Sequence, residues 1–229
     1  PALFLSFSLD KTAIHTLLTN YFTGNPTAIF TDIFHAVSIF NFRSVGVFFA
    51  GLIGVVLMIL CASLMTALME KHMRIGKRTF NGVFSKLNDN LMSTCGICLL
   101  YVFIYEIWAL IMSSLLFLVS LIGSKAAIYV LSVIVFLGMH FILLYIVSIF
   151  YLWLPCLQIT GFRAFEALRY SYQLVAPVKP RIIFGQLFSM LVAEVLLGVA
   201  AVFIPGKIAA IVIAAILYAF MTLMFCVRM

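Results

Sequence analysis

Leu91 to Ile122 reads LMSTCGICLLYVFIYEIWALIMSSLLFLVSLI, with a single charge, Glu106, in its whole length. About 20 consecutive apolar residues are enough to cross the hydrocarbon core of a bilayer. A water-soluble helix of this length would need a polar stripe along one side, and none is present. The stretch is therefore expected to be a transmembrane helix, and the rest of the chain follows the same pattern. Ser44 to Met69, Ala126 to Leu157, Ile182 to Ile204 and Ile208 to Val227 are further apolar runs of spanning length. The runs over 91–122 and 126–157 exceed the bilayer thickness, so they must tilt, kink or protrude.

Composition leads to the same class. Hydrophobic residues are 66% of the 229 and charged residues 9%, whereas a soluble domain is about half apolar and a quarter charged. The net charge of +7 lies in short segments between apolar runs. Such a distribution sets topology and does not form a nucleic-acid surface. No disulfide framework is implied by Cys61, Cys95, Cys98, Cys156 and Cys226. Cys95 and Cys98 have the spacing of half a zinc site, but no second pair completes four ligands, so no metal or cofactor is expected.

The fold expected is all-α: a polytopic transmembrane bundle of about six helices in a single domain. Residues 1–9 are read as the outer end of a first spanning helix, the other reading being a disordered or interfacial N-terminus. Residues 10–43 form an external segment. In it Ile14, Leu17, Leu18, Tyr21 and Phe22, and then Ile29, Phe30, Ile33, Phe34, Val37 and Phe40, mark two amphipathic helices. These either rest on the outer membrane surface or pack on the bundle as a lid; a periodic apolar face does not distinguish lipid from protein. Spanning helices at 44–69, 91–122, 126–157, 182–204 and 208–227 are joined by cytoplasmic loops with amphipathic helices at 70–90 and 158–181.

Lys71, Arg74, Lys77, Arg78, Lys86, Arg163, Arg169, Lys179, Arg181 and Arg228 fall on one side; Lys11, Arg43, Lys125 and Lys207 fall on the other. The positive-inside rule puts the first group, and both termini, in the cytoplasm. Gly76-Lys-Arg78-Thr-Phe80 echoes Gly161-Phe-Arg163-Ala-Phe165 at a spacing of 85 residues. The echo suggests two parallel helix–interfacial helix–helix units, an arrangement known in transporters; shared loop constraints are the other explanation. Gly46, Ala50 and Gly54, and Ala210, Ala214, Ala215 and Ala219, are small residues at helix-packing spacing. They serve contacts either inside one subunit or with a second copy or partner membrane subunit.

Glu70-Lys-His-Met-Arg-Ile-Gly76, Leu154-Pro155, and the pattern of Glu166, Ala167, Leu168, Arg169, Ser171 and Leu174 resemble a broad group of bacterial six-helix integral-membrane families. That group has no agreed activity and includes the membrane domain fused to some glycerophosphodiester phosphodiesterases. The resemblance covers roughly residues 44 to 205 in layout. It implies a fold and a bacterial plasma-membrane address, and it implies no catalytic residues. The chain holds no phosphodiesterase domain, so that activity is not carried over.

Chemistry is expected from Glu106, His140 and Glu194, the ionisable residues in mid-run. A charge at the bilayer centre costs roughly 2.5–3.5 kcal/mol and usually faces a bundle interior or a cavity. Glu106 and Glu194 fall at comparable places in the two units, and His140 is a candidate partner for Glu106. Together they could relay protons or bind a cation, or each could be bonded to a neighbouring Ser, Tyr or carbonyl as helix-to-helix glue. Arg78, with Arg163, Glu166 and Arg169, forms a cytoplasmic surface for anionic lipid headgroups or a docking partner. The last three are also spaced for ion pairs on one helix face.

A transport-related protein, a small carrier or channel-like subunit, is the leading expectation. The alternative is a membrane-embedded accessory or scaffold subunit. An intramembrane enzyme acting on lipid is a distant third. No nucleotide loop, hydrolase elbow or zinc-protease motif is present, so an enzyme is not expected.

Overall fold

The computed structural model describes residues 2–26, 28–76, 83–160, 163–204 and 207–228. Among them every regular element is helical: α1 (Ala2–Ser8), α2 (Lys11–Phe22), α3 (Phe30–Val37), α4 (Val45–Ile75), α5 (Val83–Ser120), α6 (Lys125–Ile149), α7 (Trp153–Thr160), α8 (Ala164–Val175), α9 (Lys179–Phe203) and α10 (Lys207–Arg228). A 3-10 turn, Ala176–Val178, joins α8 to α9. Four spans are long and apolar enough to cross a membrane: Val45–His72, Leu91–Ser120, Lys125–Leu157 and Ala164–Phe203. The apolar part described in α10, Ile211–Phe220, is shorter.

Burial is inverted relative to a protein that folds in water. Phe103, Leu118, Phe188 and Val195 stand exposed on the outside, while Thr94, Ser113, His140 and Ser171 are fully buried. Two buried hydroxyls close onto their own helix, Ser113 donating to the Ala109 carbonyl at 2.7 Å and Thr66 to that of Ala62 at 2.8 Å, whereas those of Ser63 and Ser171 have no partner among the described residues. An apolar solvent outside and satisfied polar groups inside are what a bilayer demands. The fold is a membrane helix bundle.

Helix ends follow local chemistry. Ser44 caps α4, its hydroxyl accepting from the Val47 N–H at 3.3 Å. Gly76 stops α4 at φ 70°, a left-handed position that glycine occupies without a Cβ penalty. The expected span over 126–157 agrees with the span Lys125–Leu157, but its helix is interrupted within it, α6 ending at Ile149 and α7 starting at Trp153. Pro155 is the physical reason: a proline has no N–H and its ring clashes with the carbonyl four residues earlier, so it fits only in a first turn. At the break the Phe150 carbonyl accepts from the Trp153 N–H at 3.0 Å and also from the Tyr101 hydroxyl at 2.6 Å. Downstream, α9 starts at Lys179, earlier than the expected 182. On α8 the buried face is Ala167, Ser171 and Val175, while Phe165 and Tyr172 are exposed.

The segment read as external is a lid on the bundle, and part of it reaches deep. Helix α2 packs on α9 and α3 on α5. Tyr21 and Tyr129 each donate to the other's carbonyl, at 3.3 and 2.7 Å. Along α5, α3 runs from Ser120, whose hydroxyl reaches the Ala28 carbonyl at 3.3 Å, to Glu106, which binds the Ser38 hydroxyl at 2.8 Å. Glu106 precedes Ser120 by fourteen residues, about 21 Å at 1.5 Å per residue. Residues 38–40 are therefore irregular backbone well below the end of α5, which an apolar medium tolerates only inside protein. Ser38 and Asn41 are buried among α1, α4 and α5, and the chain emerges at Phe42 and Arg43, which are exposed. A Cβ on Gly51 of α4 would stand 2.7 Å from the Ile39 carbonyl oxygen, so only glycine allows this approach. Gly54 meets Leu5 of α1, which makes it a packing position within the chain, while Gly46 faces open space.

Asp10 closes the outer corner. Its Oδ1 caps α2 by accepting from the Thr12 and Ala13 N–H groups at 3.0 and 3.1 Å, and its Oδ2 accepts from the Arg43 guanidinium at 2.5 Å. Burial alone would raise the Asp10 carboxyl. The Thr12 hydroxyl, the Arg43 guanidinium and the Ala13 N–H together outweigh burial and hold it below its ordinary 3.8. A depressed carboxyl contributes stability that is complete above the unfolded value and lost as pH falls through the native one. Hydrogen exchange is accordingly expected to show protection of the Thr12 and Ala13 amides unchanged from pH 7 to about 4 and falling only below that. Loss of protection already between pH 6 and 5 would contradict this account of the corner.

Candidate functional site

His140 has no exposed surface, and it lies where α5, α6 and α9 meet. Its Nδ1 is 2.8 Å from the Phe136 carbonyl oxygen, one turn earlier on α6, and its Nε2 is 2.8 Å from Glu194 Oε1 on α9. A carbonyl carries no proton, so Nδ1 must be the N–H donor. The tautomer is thereby fixed, and a single proton remains on the line between Nε2 and Oε1. The pair is either imidazolium with carboxylate or neutral imidazole with carboxylic acid. Glu194 Oε2 is buried with no hydrogen-bond partner. The neutral form leaves only a carbonyl-like oxygen unsatisfied, whereas the ionic form leaves a bare charged one, which costs more.

The ring is held by its surroundings. Trp108 of α5 stands edge-on to the imidazole, with centroids 5.1 Å apart, and donates its indole N–H to the Met139 carbonyl at 2.7 Å. Phe136 packs against the other side at 4.3 Å. Tyr105 of α5 and Tyr218 of α10 stand within electrostatic range of the Glu194 carboxyl. Four helices thus converge on one proton-bearing pair.

Glu106 has different partners. Its Oε1 accepts from the Ile39 N–H at 2.9 Å and the Phe40 N–H at 3.4 Å, and its Oε2 from the Ser38 hydroxyl. The adjacent Tyr105 hydroxyl donates to the carbonyl of Val37, the last residue of α3, at 2.7 Å. Two neighbouring side chains therefore satisfy the polar groups left open at the end of α3. The partner of His140 is Glu194 and not the expected Glu106. The physical reason is that three donors of the buried turn claim the Glu106 carboxyl first.

No family model matches the chain, and no curated protein or solved structure is detectably similar to it. What the site does is therefore read from its geometry.

The basic surface is described in part, since Arg78 lies outside the described residues together with Phe80 and Gly161 of the loop echo. Arg163, Glu166 and Arg169 are exposed at the start of α8. Glu166 accepts from the Arg163 backbone N–H at 3.3 Å and so caps its own helix in place of the expected i,i+3 ion pairs. Cys98 is buried beside Val55, Ile59 and Val102. Among the described residues no group of three metal-ligating side chains is brought together. Sequence reasoning missed Ser38, Trp108 and Gly51, and read Tyr105 only as one of the tyrosines that a mid-run carboxyl could bond. The Tyr105-Glu106 adjacency was the available signal, but its partner turn is 66 or more residues away in the chain.

Proposed function

We propose that the chain is a transport-related integral membrane protein whose His140–Glu194 pair takes up and releases a proton, or exchanges it for a cation, at the bundle centre. The observation that carries this is the fixed Nδ1–H of His140, which leaves one proton shared with Glu194, beside a buried Glu194 Oε2 without a donor. Ionisable residues in a membrane interior mark ion pathways and proton relays more often than packing. Glu106 takes no part in the exchange in this proposal, because its acceptor sites are filled.

The setting proposed is a bacterial plasma membrane, six helices counting α1 as the end of a first span, and both termini in the cytoplasm. Support comes from α1, which runs antiparallel to α4, with Leu5 at Gly54 and Ser8 at Gly51. Further support comes from Lys11, Arg43 and Lys125, which begin or precede α2, α4 and α6 at one end, while Arg163 precedes α8, Arg169 lies on it, and Lys179 and Arg181 lie at the start of α9. The proposed two-unit repeat rests on the loop echo, although α7 and α8 make the second connection longer than the first. A second reading, an accessory subunit without transport of its own, draws support from Glu106 as a structural anchor.

The test is proton flux into liposomes loaded with a pH-sensitive dye. Glu194→Gln, which cannot take up a proton at Oε1, is expected to lower the flux at least tenfold while the protein stays folded. Full flux in Glu194→Gln, or none in the unaltered protein under any imposed ion gradient, would favour the accessory reading.

A further inference from the structure

A groove opens between α6 and α9 on the side of the His140–Glu194 pair farthest from Lys125, and neither member of the pair lines it. Phe141 and Tyr145 of α6, Ala176 of the 3-10 turn, and Lys179, Ile183 and Phe184 of α9 line it, and its volume is about 330 Å³. The lining is almost entirely apolar except at one rim. There the Lys179 ammonium sits 3.6 Å above the Tyr145 ring, a cation–π contact that holds the charge in place. Neither Lys179 nor the Tyr145 hydroxyl has a hydrogen-bonding or ionic side-chain partner among the described residues.

The depth of this rim identifies its environment. Tyr145 lies twenty residues along α6 from Lys125, about 30 Å at 1.5 Å per residue, which is the thickness of the hydrocarbon core. With Lys125 at one boundary, Lys179 and Tyr145 lie at the headgroup level of the opposite leaflet. Phe141 and Phe184, about one turn farther in, lie among its acyl chains.

We propose that this groove binds one anionic phospholipid, its phosphate held between Lys179 Nζ and the Tyr145 hydroxyl and one acyl chain laid along Phe141, Ile183 and Phe184. A cation and a hydroxyl donor at the rim complement a phosphodiester, and the apolar floor complements a chain. A zwitterionic lipid carries the same phosphodiester but brings a cation of its own to the rim, which the Lys179 ammonium repels, so a net-anionic headgroup is favoured. A soluble phosphate compound would leave the floor uncovered.

The test uses the full chain in neutral detergent, titrated with fluorescent phosphatidylglycerol or phosphatidylcholine. Phosphatidylglycerol is expected to bind more tightly. Lys179→Gln should weaken it about fivefold, the factor one lysine contributes at an anionic surface. Arg181→Gln removes the same charge two residues on, away from the groove lining, and should leave affinity unchanged. Ala176→Phe, which fills the groove, should weaken both lipids. Tyr145→Phe keeps the ring under Lys179 and removes one donor, so a smaller loss restricted to phosphatidylglycerol is expected; it also decides the matter if Lys179→Gln fails to fold. Equal losses in Lys179→Gln and Arg181→Gln, equal binding of the two lipids, or no effect of Ala176→Phe would each overturn the site.

Discussion

Glu106→Leu is expected to destabilise the protein by about 2–3 kcal/mol and to free the turn at 38–40 from α5. The leucine would leave the Ile39 N–H without an acceptor and would take the carboxylate from the Phe40 N–H and the Ser38 hydroxyl, which keep only their 3.1 Å contacts within the turn. Each buried donor left without an acceptor costs about 1–3 kcal/mol. Glu106→Gln is expected to cost far less, about 1 kcal/mol. Its amide oxygen still accepts from the two N–H groups, and its NH₂ donates to the Ser38 oxygen, which turns its own proton to the Phe40 carbonyl at 3.1 Å. Denaturation in micelles measures the difference, and hydrogen exchange at Ile39 and Phe40 locates it. If leucine and glutamine were equally mild, Glu106 would not be the anchor of the lid.

The second large effect concerns His140 and Glu194, and its signature is non-additivity. His140→Leu and Glu194→Leu should each cost about 3 kcal/mol, since removing one member strands the other's polar group in the interior. The double variant His140→Leu/Glu194→Leu should be less destabilised than the sum of the two by about 2 kcal/mol or more, because the second change removes the stranded group. Thermal or denaturant unfolding of the four proteins closes the cycle. A coupling near zero would mean that the 2.8 Å contact has no energetic consequence. Stability separates a structural pair from a proton carrier in combination with flux: Glu194→Gln keeps an amide that can donate to Nε2, so it should retain most of the stability while losing transport.

Together these results would assign the two acids different roles that their sequence settings do not reveal. Each lies inside an apolar run with aromatic or small residues around it. Charge, depth and neighbours are alike for Glu106 and Glu194, so local pattern treats them as equivalent. The distinction comes from what crosses over from elsewhere: a turn of the N-terminal lid for one, an imidazole of α6 for the other.

The start of α4 at Ser44 was legible, because its cap is short-range chemistry. Gly76 after Ile75 and Pro155 carry signals just as local, but apolar runs taken to Met69 and through Pro155 to Leu157 passed over them. The lid was half legible. The apolar periodicity of 11–22 and 29–40 places two helices, but an apolar face is equally content against lipid or protein, and only packing on α9 and α5 decides between them. The tight approach at Gly51 depends on Ile39, and nothing near Gly51 in the chain announces it.

By itself the sequence determined the solvent: runs of twenty or more apolar residues cannot fold in water, and their backbone can be satisfied in hydrocarbon only as helix. It also determined that any buried charge must find a partner, because the medium offers none. Which partner each charge finds was decided by the tertiary structure alone. Hydrogen bonds act over about 3 Å in space whatever the separation along the chain, and the contacts of Glu106 with 38–40 and of His140 with Glu194 exist only once the helices have packed.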